Sequence, residues 1–283
     1  MEVFGISEEN IEAFRSLLGD DVSDDMKRVY FRGIGARDDN GKALGAVAFE
    51  LIDAESGDDT KSRIFLAKYR NEEAGSLLQE FYTANAVSED EITESTYELP
   101  DEAQAEVFVH AGFTGGKKES DEIRITLGEI AKLDIARPRN LPDYIGSIED
   151  LSVLQYRNAV KKILFKGQKG ILEDLAYLPK NWFDEQISAC SVSDDEADGL
   201  FLVRRTPSGT LIPVLLYAYG PDYRKNLLYM IGHAAHRALG SCPPETPVLI
   251  NRKNPATRAL VGKLLPTTTG AGIFYGSRKE QGA

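Results

Sequence analysis

The residues best placed to hold a ligand form the turn Arg70–Gly75, which joins a predicted strand to a predicted helix. The strand is Ile64–Tyr69, where apolar residues alternate with polar or small ones, and the helix begins near Ser76. A strand that enters a helix through a short turn directs free backbone N–H groups at whatever lies in front of the helix, which suits a phosphate. The sequence therefore predicts a ligand site here, with an ordinary charged surface turn as the alternative.

A second strand–loop–helix junction occurs in the other half of the chain. The nearly continuous apolar run Leu211–Tyr217 predicts a buried strand, and the predicted helix Leu227–Leu239 follows it. Arg224 and Lys225 give the connecting loop positive charge that the first turn lacks. Positive charge at this position favours a bound anion but disfavours the helix itself. We interpret the loop as a solvated basic turn, with an anion site as the alternative.

Two histidines, His233 and His236, lie three residues apart on the predicted helix and are therefore neighbours on one face. Such a pair can hold a metal ion, but a metal site needs a third ligand and supporting hydrogen bonds, which the sequence does not identify. We predict a structural pair and no metal. Cys190 and Cys242 have no metal-ligand spacing and are too few for a disulfide framework, so we expect reduced thiols.

The composition of the 283-residue chain, with 42% hydrophobic and 28% charged residues, is typical of a soluble globular protein. A net charge of −12 weighs against nucleic acid and anionic membranes as partners, because both require basic patches. The first residues lack a basic region followed by an apolar run, and no window approaches 18 uninterrupted apolar residues. We therefore expect a cytoplasmic protein.

The patterning predicts two halves with similar orders of elements, each mixing helices and strands. In the first half, the Asn40-Gly41 step is a strong hairpin signal between two of the strands. The predicted elements of this half are a helix capped by Ser7 and ended by Gly19, strands at Val29–Arg37, Ala43–Ile52 and Ile64–Tyr69, a helix from about Ser76, a strand at Thr96–Leu99, a helix from Asp101 to about Ala111 and a closing strand at Ile123–Leu127.

In the second half the predicted elements are helices at Leu154–Leu164 and Ile171–Leu178, strands at Gly199–Arg205 and Thr210–Tyr219, the helix Leu227–Leu239, a strand at Pro247–Asn251, a helix capped by Asn254 and a closing strand at Gly272–Gly276. Prolines and glycines interrupt the pattern between the halves, which indicates a linker. The predicted division is a domain at residues 1–130, a linker at 131–147 and a second domain at 148–283.

The first turn and the order of elements resemble the GNAT (Gcn5-related) N-acetyltransferases. The pyrophosphate loop of that family reads Gln/Arg-x-x-Gly-x-Gly/Ala, and Arg70 and Gly75 occupy its first and last positions. Gly112-Phe113 is similar to the Gly-Phe step that follows the last family helix, and Asn254–Leu260 is similar to the family's Asn-x-x-Ala-x-x-Leu-Tyr helix. The resemblance implies an α+β protein of two GNAT-like domains, each a mixed, mostly antiparallel twisted sheet flanked by helices.

The same resemblance implies acetyl-coenzyme A as donor and a small-molecule or peptidic amine as acceptor. It assigns the pyrophosphate contacts to Arg70, Asn71, Glu72, Ala74, Gly75 and Ser76. Glu73 stands where the family has its middle glycine. A carboxylate about 4 Å from a phosphate costs roughly 1 kcal/mol in water and roughly 4 kcal/mol at an effective dielectric of about 20.

Acetyl transfer needs a base for the amine, a backbone N–H for the developing oxyanion and an acid for the leaving thiolate. In many family members the acid is a tyrosine on the last helix; that position is Phe108 in the first half and Val261 in the second, and neither can donate a proton. Strand alternation allows only one of two neighbouring residues to face the site. The substitute candidates, each with a structural alternative, are Tyr97, Glu98, His110, Tyr217 and Tyr219.

Three functions remain open from the sequence. The first is an acyl-CoA-dependent N-acetyltransferase with full, weakened or lost activity. The second is a non-catalytic binding or assembly module that keeps the fold, which Glu73, Phe108 and Val261 favour. The third is a regulatory protein that binds a metabolite between its halves, lined by residues such as Arg137, Arg139 and Tyr144. Whether the protein is an enzyme, its acceptor and its oligomeric state are left open.

Overall fold

Two sheets of mixed strand direction, each with helices packed against it, form two separate units of the chain. The computed structural model describes residues 1–53, 59–137, 140–166 and 173–280. The first unit comprises Met1–Ser120 together with the C-terminal stretch from Ala271, and the second unit comprises Asp121–Gly270. The α+β class predicted from the sequence is confirmed.

The described strands and helices are numbered in chain order. The strands are β1 Glu2–Gly5, β2 Phe31–Arg37, β3 Ala43–Ile52, β4 Lys61–Tyr69, β5 Glu94–Leu99, β6 Thr114–Glu119, β7 Glu122–Thr126, β8 Ile145–Ser147, β9 Ala189–Ser193, β10 Glu196–Arg205, β11 Leu211–Ala218, β12 Pro247–Asn251 and β13 Gly272–Lys279. The helices are α1 Ile11–Leu18, α2 Asp20–Asp25, α3 Glu72–Phe81, α4 Val87–Glu89, α5 Glu102–His110, α6 Leu127–Ile130, α7 Val153–Phe165, α8 Tyr223–Ser241 and α9 Pro255–Leu264.

The first unit is built on a seven-stranded sheet in the order β1-β2-β3-β4-β5-β13-β6. The pair β4–β5 is parallel and the other neighbours are antiparallel. One face carries a core that includes Phe49, Leu78 and Phe108, and the other carries α1. Phe14 of α1 lies so close to β2 that a side chain at Gly35 would begin 2.4 Å from its ring. Only glycine fits there, and it lets the helix lie flat on the sheet.

The second unit is built on a six-stranded sheet in the order β7-β12-β11-β10-β9-β8. Here β11–β12 is the parallel pair. Helix α8 covers one face through Met230 and Ala234, which pack in one cluster with Phe201. Helix α7 covers the other face through Tyr156 and Ile163. Both faces of the long strand β11 are therefore covered, as its continuous apolar run predicts, and its residues are buried or partly buried.

The division into units differs from the domain boundaries predicted from the sequence. Strand β7, predicted to close the first half, pairs with β12 in the second unit. Strand β13, predicted to close the second half, lies between β5 and β6 in the first unit. The predicted linker 131–147 contains a 3-10 turn, Asp134–Ala136, and strand β8. Local alternation identifies a strand but not the strand with which it pairs, which explains the difference.

Two helices begin about one turn earlier than predicted. Helix α3 begins at Glu72 and α8 at Tyr223, where the sequence predicted starts near Ser76 and Leu227. Four strands were not predicted from the sequence, namely β1, β6, β8 and β9. The helix predicted at Ile171–Leu178 starts outside the described residues, and its described part contains a short 3-10 helix, Glu173–Ala176.

Candidate functional site

In the first unit, the parallel strands β4 and β5 part before they end. Their pairing runs from Lys61 opposite Glu94 to Ile64 opposite Tyr97, whereas β4 continues for another five residues, to Tyr69. The register between β3 and β4 shifts so that Phe65 is an extra residue on β4. A bulge of this kind bends a strand and increases its twist. The bulge lies where the pairing stops, so it explains why a gap opens at the carboxyl ends of the two strands.

The second unit repeats this arrangement with a longer gap. The strands β11 and β12 pair at Leu211 opposite Val248, and β11 continues to Ala218. The register between β10 and β11 shifts so that Val214 is an extra residue on β11. In both units a helix begins just beyond the parted strand, α3 in the first and α8 in the second. The two helix N-termini are therefore the candidate anion sites.

The N-terminus of α3 is already capped by its own chain. The Asn71 side chain accepts a hydrogen bond from the Ala74 backbone N–H at 2.8 Å. Glu72 and Glu73 add two carboxylates to the first turn, where they complement the helix dipole. Arg70 donates from its Nε to the Ala43 carbonyl oxygen at 3.0 Å. The capped N–H and the two carboxylates make this end of the helix a poor host for a phosphate.

A tyrosine side chain occupies the space beside this N-terminus. The Tyr69 hydroxyl donates to the Ala103 carbonyl oxygen of α5. The ring packs against Gly75, where a side chain would begin 3.1 Å from both Tyr69 and Val107 of α5. Burial, followed by the nearby carboxylates of Asp101 and Glu106, raises the pKa of Tyr69, so its hydroxyl keeps its proton and remains a donor. Ser76, in contrast, is exposed on the helix surface.

The N-terminus of α8 differs from that of α3 in both capping and charge. Asp222 occupies the N-cap position, but its side chain makes no capping hydrogen bond and instead pairs with Lys225 at 3.2 Å. Arg224 donates from its Nε to the Tyr223 hydroxyl at 3.0 Å. These residues and Pro221 line a cavity of about 330 Å³. The uncapped helix end, two cations and an adjoining cavity suit an anion better than the first junction does.

Among the proposed acid and base residues, Glu98 lies in an ion-pair network. Arg63 donates to one of its oxygens at 3.1 Å and Lys118 to the other at 2.8 Å, while Arg63 also pairs with Glu50 at 2.7 Å. Burial alone would lower the pKa of Arg63, but Glu50 and then Glu98 outweigh it and raise that pKa. Both oxygens of Glu98 are thus held by cations, which opposes a role as a mobile general base.

Tyr97 points away from Glu98, as strand alternation requires. Its ring packs in the core against Phe108 and Phe113, with centroids 5.5 Å and 5.7 Å away. Burial raises the pKa of Tyr97. Phe108, which occupies the expected acid position, is 1% exposed. This part of the first unit is therefore an aromatic core.

The three remaining candidates are divided between the two units. His110 is exposed at the end of α5. Tyr217 is half-buried against the α7 side of the second core. Tyr219 donates its hydroxyl to the Ala197 carbonyl oxygen at 2.8 Å, and burial raises its pKa. Val261, at the other expected acid position, is buried.

The two histidines of α8 have different surroundings. His233 Nε2 lies 3.1 Å from the Ser147 hydroxyl oxygen, whereas His236 is exposed. Over the described ranges, no three His, Cys, Asp or Glu side chains are grouped as metal ligands. Burial raises the pKa of the Cys190 thiol to about 12, so that cysteine is inert as a nucleophile. No helix within the described part of the chain is long and apolar enough to cross a membrane.

The architecture of the chain is similar to that of several solved structures. The chain superposes over its whole length on the whole of a tandem GNAT protein from the clavulanic acid biosynthesis pathway, with a TM-score of 0.62 and 10% sequence identity. The chain has the tandem GNAT fold. A GCN5-related N-acetyltransferase from Sphaerobacter thermophilus is also similar, with a TM-score of 0.52 and 11% identity over 99% of this chain and 97% of that one. In sequence, no protein-family model and no curated protein matches.

Each unit has a parted strand pair followed by a helix, but the two helix N-termini differ in capping, in charge and in the side chains around them. Both junctions are predictable from the sequence, whereas the contact between Tyr69 and Gly75 in the first one is not. The sequence does carry a signal for the cap at Asn71, because Asn followed by two glutamates is typical of a helix start. Of the regulatory candidates, Arg137 and Tyr144 lie in the second unit, and Arg139 lies outside the described residues.

Proposed function

We propose that the protein is an acyl-CoA-dependent N-acetyltransferase whose donor binds to the second unit. The observation that carries the proposal is the N-terminus of α8, uncapped by a side chain, with Arg224 and Lys225 beside a cavity of about 330 Å³. The tandem GNAT fold supports it, because proteins named as N-acetyltransferases share that fold at low sequence identity.

In this proposal, each part of the junction has a defined task. Backbone N–H groups at the start of α8 and the two cations hold the pyrophosphate. The stretch of β11 beyond Leu211 presents backbone groups that the strand β12 does not pair, and one N–H there polarises the thioester carbonyl. The acceptor is an amine of a small molecule or a peptide, and its attack on that carbonyl releases the coenzyme A thiol.

Calorimetric titration with acetyl-CoA tests the donor assignment. A charge-assisted hydrogen bond contributes about 1.5–3 kcal/mol, so Arg224→Ala should weaken binding by roughly tenfold to a hundredfold. Arg70→Ala is the matched control, because it removes an arginine from the equivalent loop of the first unit and should leave the affinity unchanged. Loss of binding in Arg70→Ala with retention in Arg224→Ala would instead assign the donor to the first unit.

A second function, binding without catalysis, is favoured by the two acid positions. Phe108 and Val261 are buried apolar side chains, and Glu98 is held by two cations. Measurement of free thiol released from acetyl-CoA in the presence of a panel of amines separates the two functions. Thiol release that depends on the amine supports the transferase. Tight binding of acetyl-CoA with no amine-dependent release supports a binding module.

A further inference from the structure

A second cavity lies in the second unit, near the C-terminal end of α8 and more than three helical turns along the helix from the donor junction. Its volume is about 220 Å³, and its lining residues are Gln186, His236, Arg237, Gly240 and Ser241. This volume is below the roughly 300–1,000 Å³ of pockets for drug-sized ligands. The cavity therefore suits a small ligand.

One helix position in the lining of the cavity has no side chain. Gly240 lies four residues after His236 and three after Arg237, so the three share one face of α8. A Cβ placed at Gly240 would meet no atom within 4 Å. The missing side chain thus leaves open space beside His236 and Arg237, and a larger side chain there would extend into that space.

The opposite wall is fixed by hydrogen bonds. The Gln186 carbonyl oxygen accepts from Ser147 Oγ at 2.9 Å and from Arg237 Nε at 3.2 Å. Because the Ser147 proton is used in this way, the contact of 3.1 Å between Ser147 Oγ and His233 Nε2 requires that His233 donate. Arg237 is thereby anchored through Nε, and no hydrogen bond among the described residues occupies its two terminal amino groups.

The side-chain charges of the lining also point to an anion and must outweigh the negative end of the α8 helix dipole. In the part of the chain that the structure describes, neither Arg237 nor His236 makes an ion pair with a carboxylate, although the protein carries a net charge of −12. Two helix carbonyls nearby accept hydrogen bonds, Arg237 O from Ser241 Oγ at 2.8 Å and Ala238 O from the Cys242 N–H at 2.8 Å. An arginine fork matches the oxygen geometry of phosphate and carboxylate.

We propose that this cavity binds a small oxyanion, such as inorganic phosphate or a small carboxylic acid. Arg237 provides the paired donors, and His236 provides a further donor from the same helix face. The vacant position at Gly240 accommodates the anion between them. The site is separate from the proposed donor junction and does not depend on it.

The test is a titration of the full chain with inorganic phosphate and, separately, with citrate, in a chloride buffer, followed by backbone amide NMR. We expect amide shifts centred on residues 236–241. Affinity should fall at least tenfold in Arg237→Gln and in Gly240→Leu, whose Cβ would meet no atom within 4 Å and whose side chain would occupy the space proposed for the anion. Tighter binding of phosphate or of citrate identifies the preferred anion, and either supports the site.

Two control variants distinguish this site from general charge effects and from the donor junction. Arg157→Gln removes an exposed cation on α7 and should leave the affinity unchanged. Arg224→Gln, at the donor junction, should also leave the affinity for the anion at residues 236–241 unchanged. Affinity that is insensitive to Arg237→Gln, or shifts centred on residues 223–226 that Arg224→Gln abolishes, would overturn the proposal. Unaltered spectra of each variant away from its substitution confirm that it is folded.

Discussion

The side chain of Glu98 has a structural task that its position on β5 does not reveal. It joins Arg63 of the neighbouring strand to Lys118 of β6, and Arg63 continues the network to Glu50 of β3. The Arg63 side chain is 15% exposed and that of Glu98 is 18% exposed. Removing one partner of a largely buried network leaves charges without compensation, which is more costly than losing a surface ion pair.

We therefore predict that Glu98→Gln lowers the free energy of unfolding of the first unit by about 1–3 kcal/mol. Urea denaturation followed by circular dichroism measures this change in the free energy of unfolding. The matched control is Glu12→Gln, which breaks the exposed pair with Arg15 and should cost less than about 0.5 kcal/mol. Equal effects of the two substitutions would show that the network around Glu98 contributes no more than a surface pair.

His233 gives the second unit a defined pH dependence. Burial, followed by Arg237 and His236, lowers the pKa of His233, so the unfolded chain binds a proton more readily than the folded one. The folded unit should consequently lose stability as the pH falls below about 6.5, the ordinary pKa of histidine. Trp182 is the single tryptophan of the chain and lies in the second unit, so its fluorescence reports this transition.

The expected result is a free energy of unfolding that rises between pH 5 and pH 7.5, measured in phosphate-free buffer, with a smaller rise in His233→Gln. Glutamine can still donate a hydrogen bond to Ser147. His110→Gln changes an exposed histidine of the first unit and should leave the slope unchanged. A slope that is the same in His233→Gln as in the parent would contradict the assignment.

At the scale of elements, one side chain lies between α3 and α5 at the first junction. The Tyr69 hydroxyl donates to Ala103 of α5, and its ring packs against Gly75 of α3. The equivalent place in the second unit follows the end of β11, where Tyr219 turns to Ala197 of β10 instead. The tyrosine that follows the parted strand thus contacts the neighbouring helices in the first unit and the neighbouring strand in the second.

Substitutions at Tyr69 separate the ring from the hydroxyl. Tyr69→Phe removes one hydrogen bond and should lower the free energy of unfolding by about 0.5–1.5 kcal/mol. Tyr69→Ala also removes the ring from a partly buried site, and we expect a cost of roughly 2–4 kcal/mol. Thermal unfolding followed by circular dichroism compares the two. An alanine variant as stable as the phenylalanine variant would show that the ring does not fill the gap.

Element order was predictable from the sequence wherever a local signal was strong. The bounds of β3 follow from the Asn40-Gly41 turn, and α9 begins where Asn254 and Pro255 predict it. Strand β6 was missed because it is an exposed edge strand with few apolar residues, so it lacks alternation. Strand β1 has only four residues, too few for a periodic pattern.

The candidate site was only partly predictable for a related reason. Both junctions were visible as a strand followed by a helix, and the basic character of Arg224 and Lys225 was plain. Which helix end is capped, and which gap is filled, depends on side-chain contacts such as those of Asn71 and Tyr69. These contacts join residues whose positions only the folded backbone defines.

At the scale of the whole molecule, the chain crosses from one unit to the other twice, at Asp121 and at Ala271. Strand β13 lies inside the first sheet, with β5 on one side and β6 on the other. A cut at the predicted linker therefore removes an interior strand from the first unit. It also removes β7 from the second, where that strand forms one edge of the sheet.

Fragments of the chain test this division. The fragment 121–270 should fold alone and unfold cooperatively by Trp182 fluorescence, because it contains all six strands of its sheet. The fragment 148–283 lacks β7 and β8 and should show no cooperative transition. Likewise, the fragment 1–130 should not fold, because it lacks β13. Cooperative unfolding of 148–283 together with failure of 121–270 would support the boundaries expected from the sequence instead.

The claim that the second unit holds the donor is tested most directly by backbone amide NMR of the full chain during titration with acetyl-CoA. We predict that the largest shifts fall on residues 223–226 at the start of α8 and on β11 beyond Leu211, with small changes at residues 71–76. Largest shifts at residues 71–76, or no shifts at millimolar acetyl-CoA in a folded sample, would contradict it.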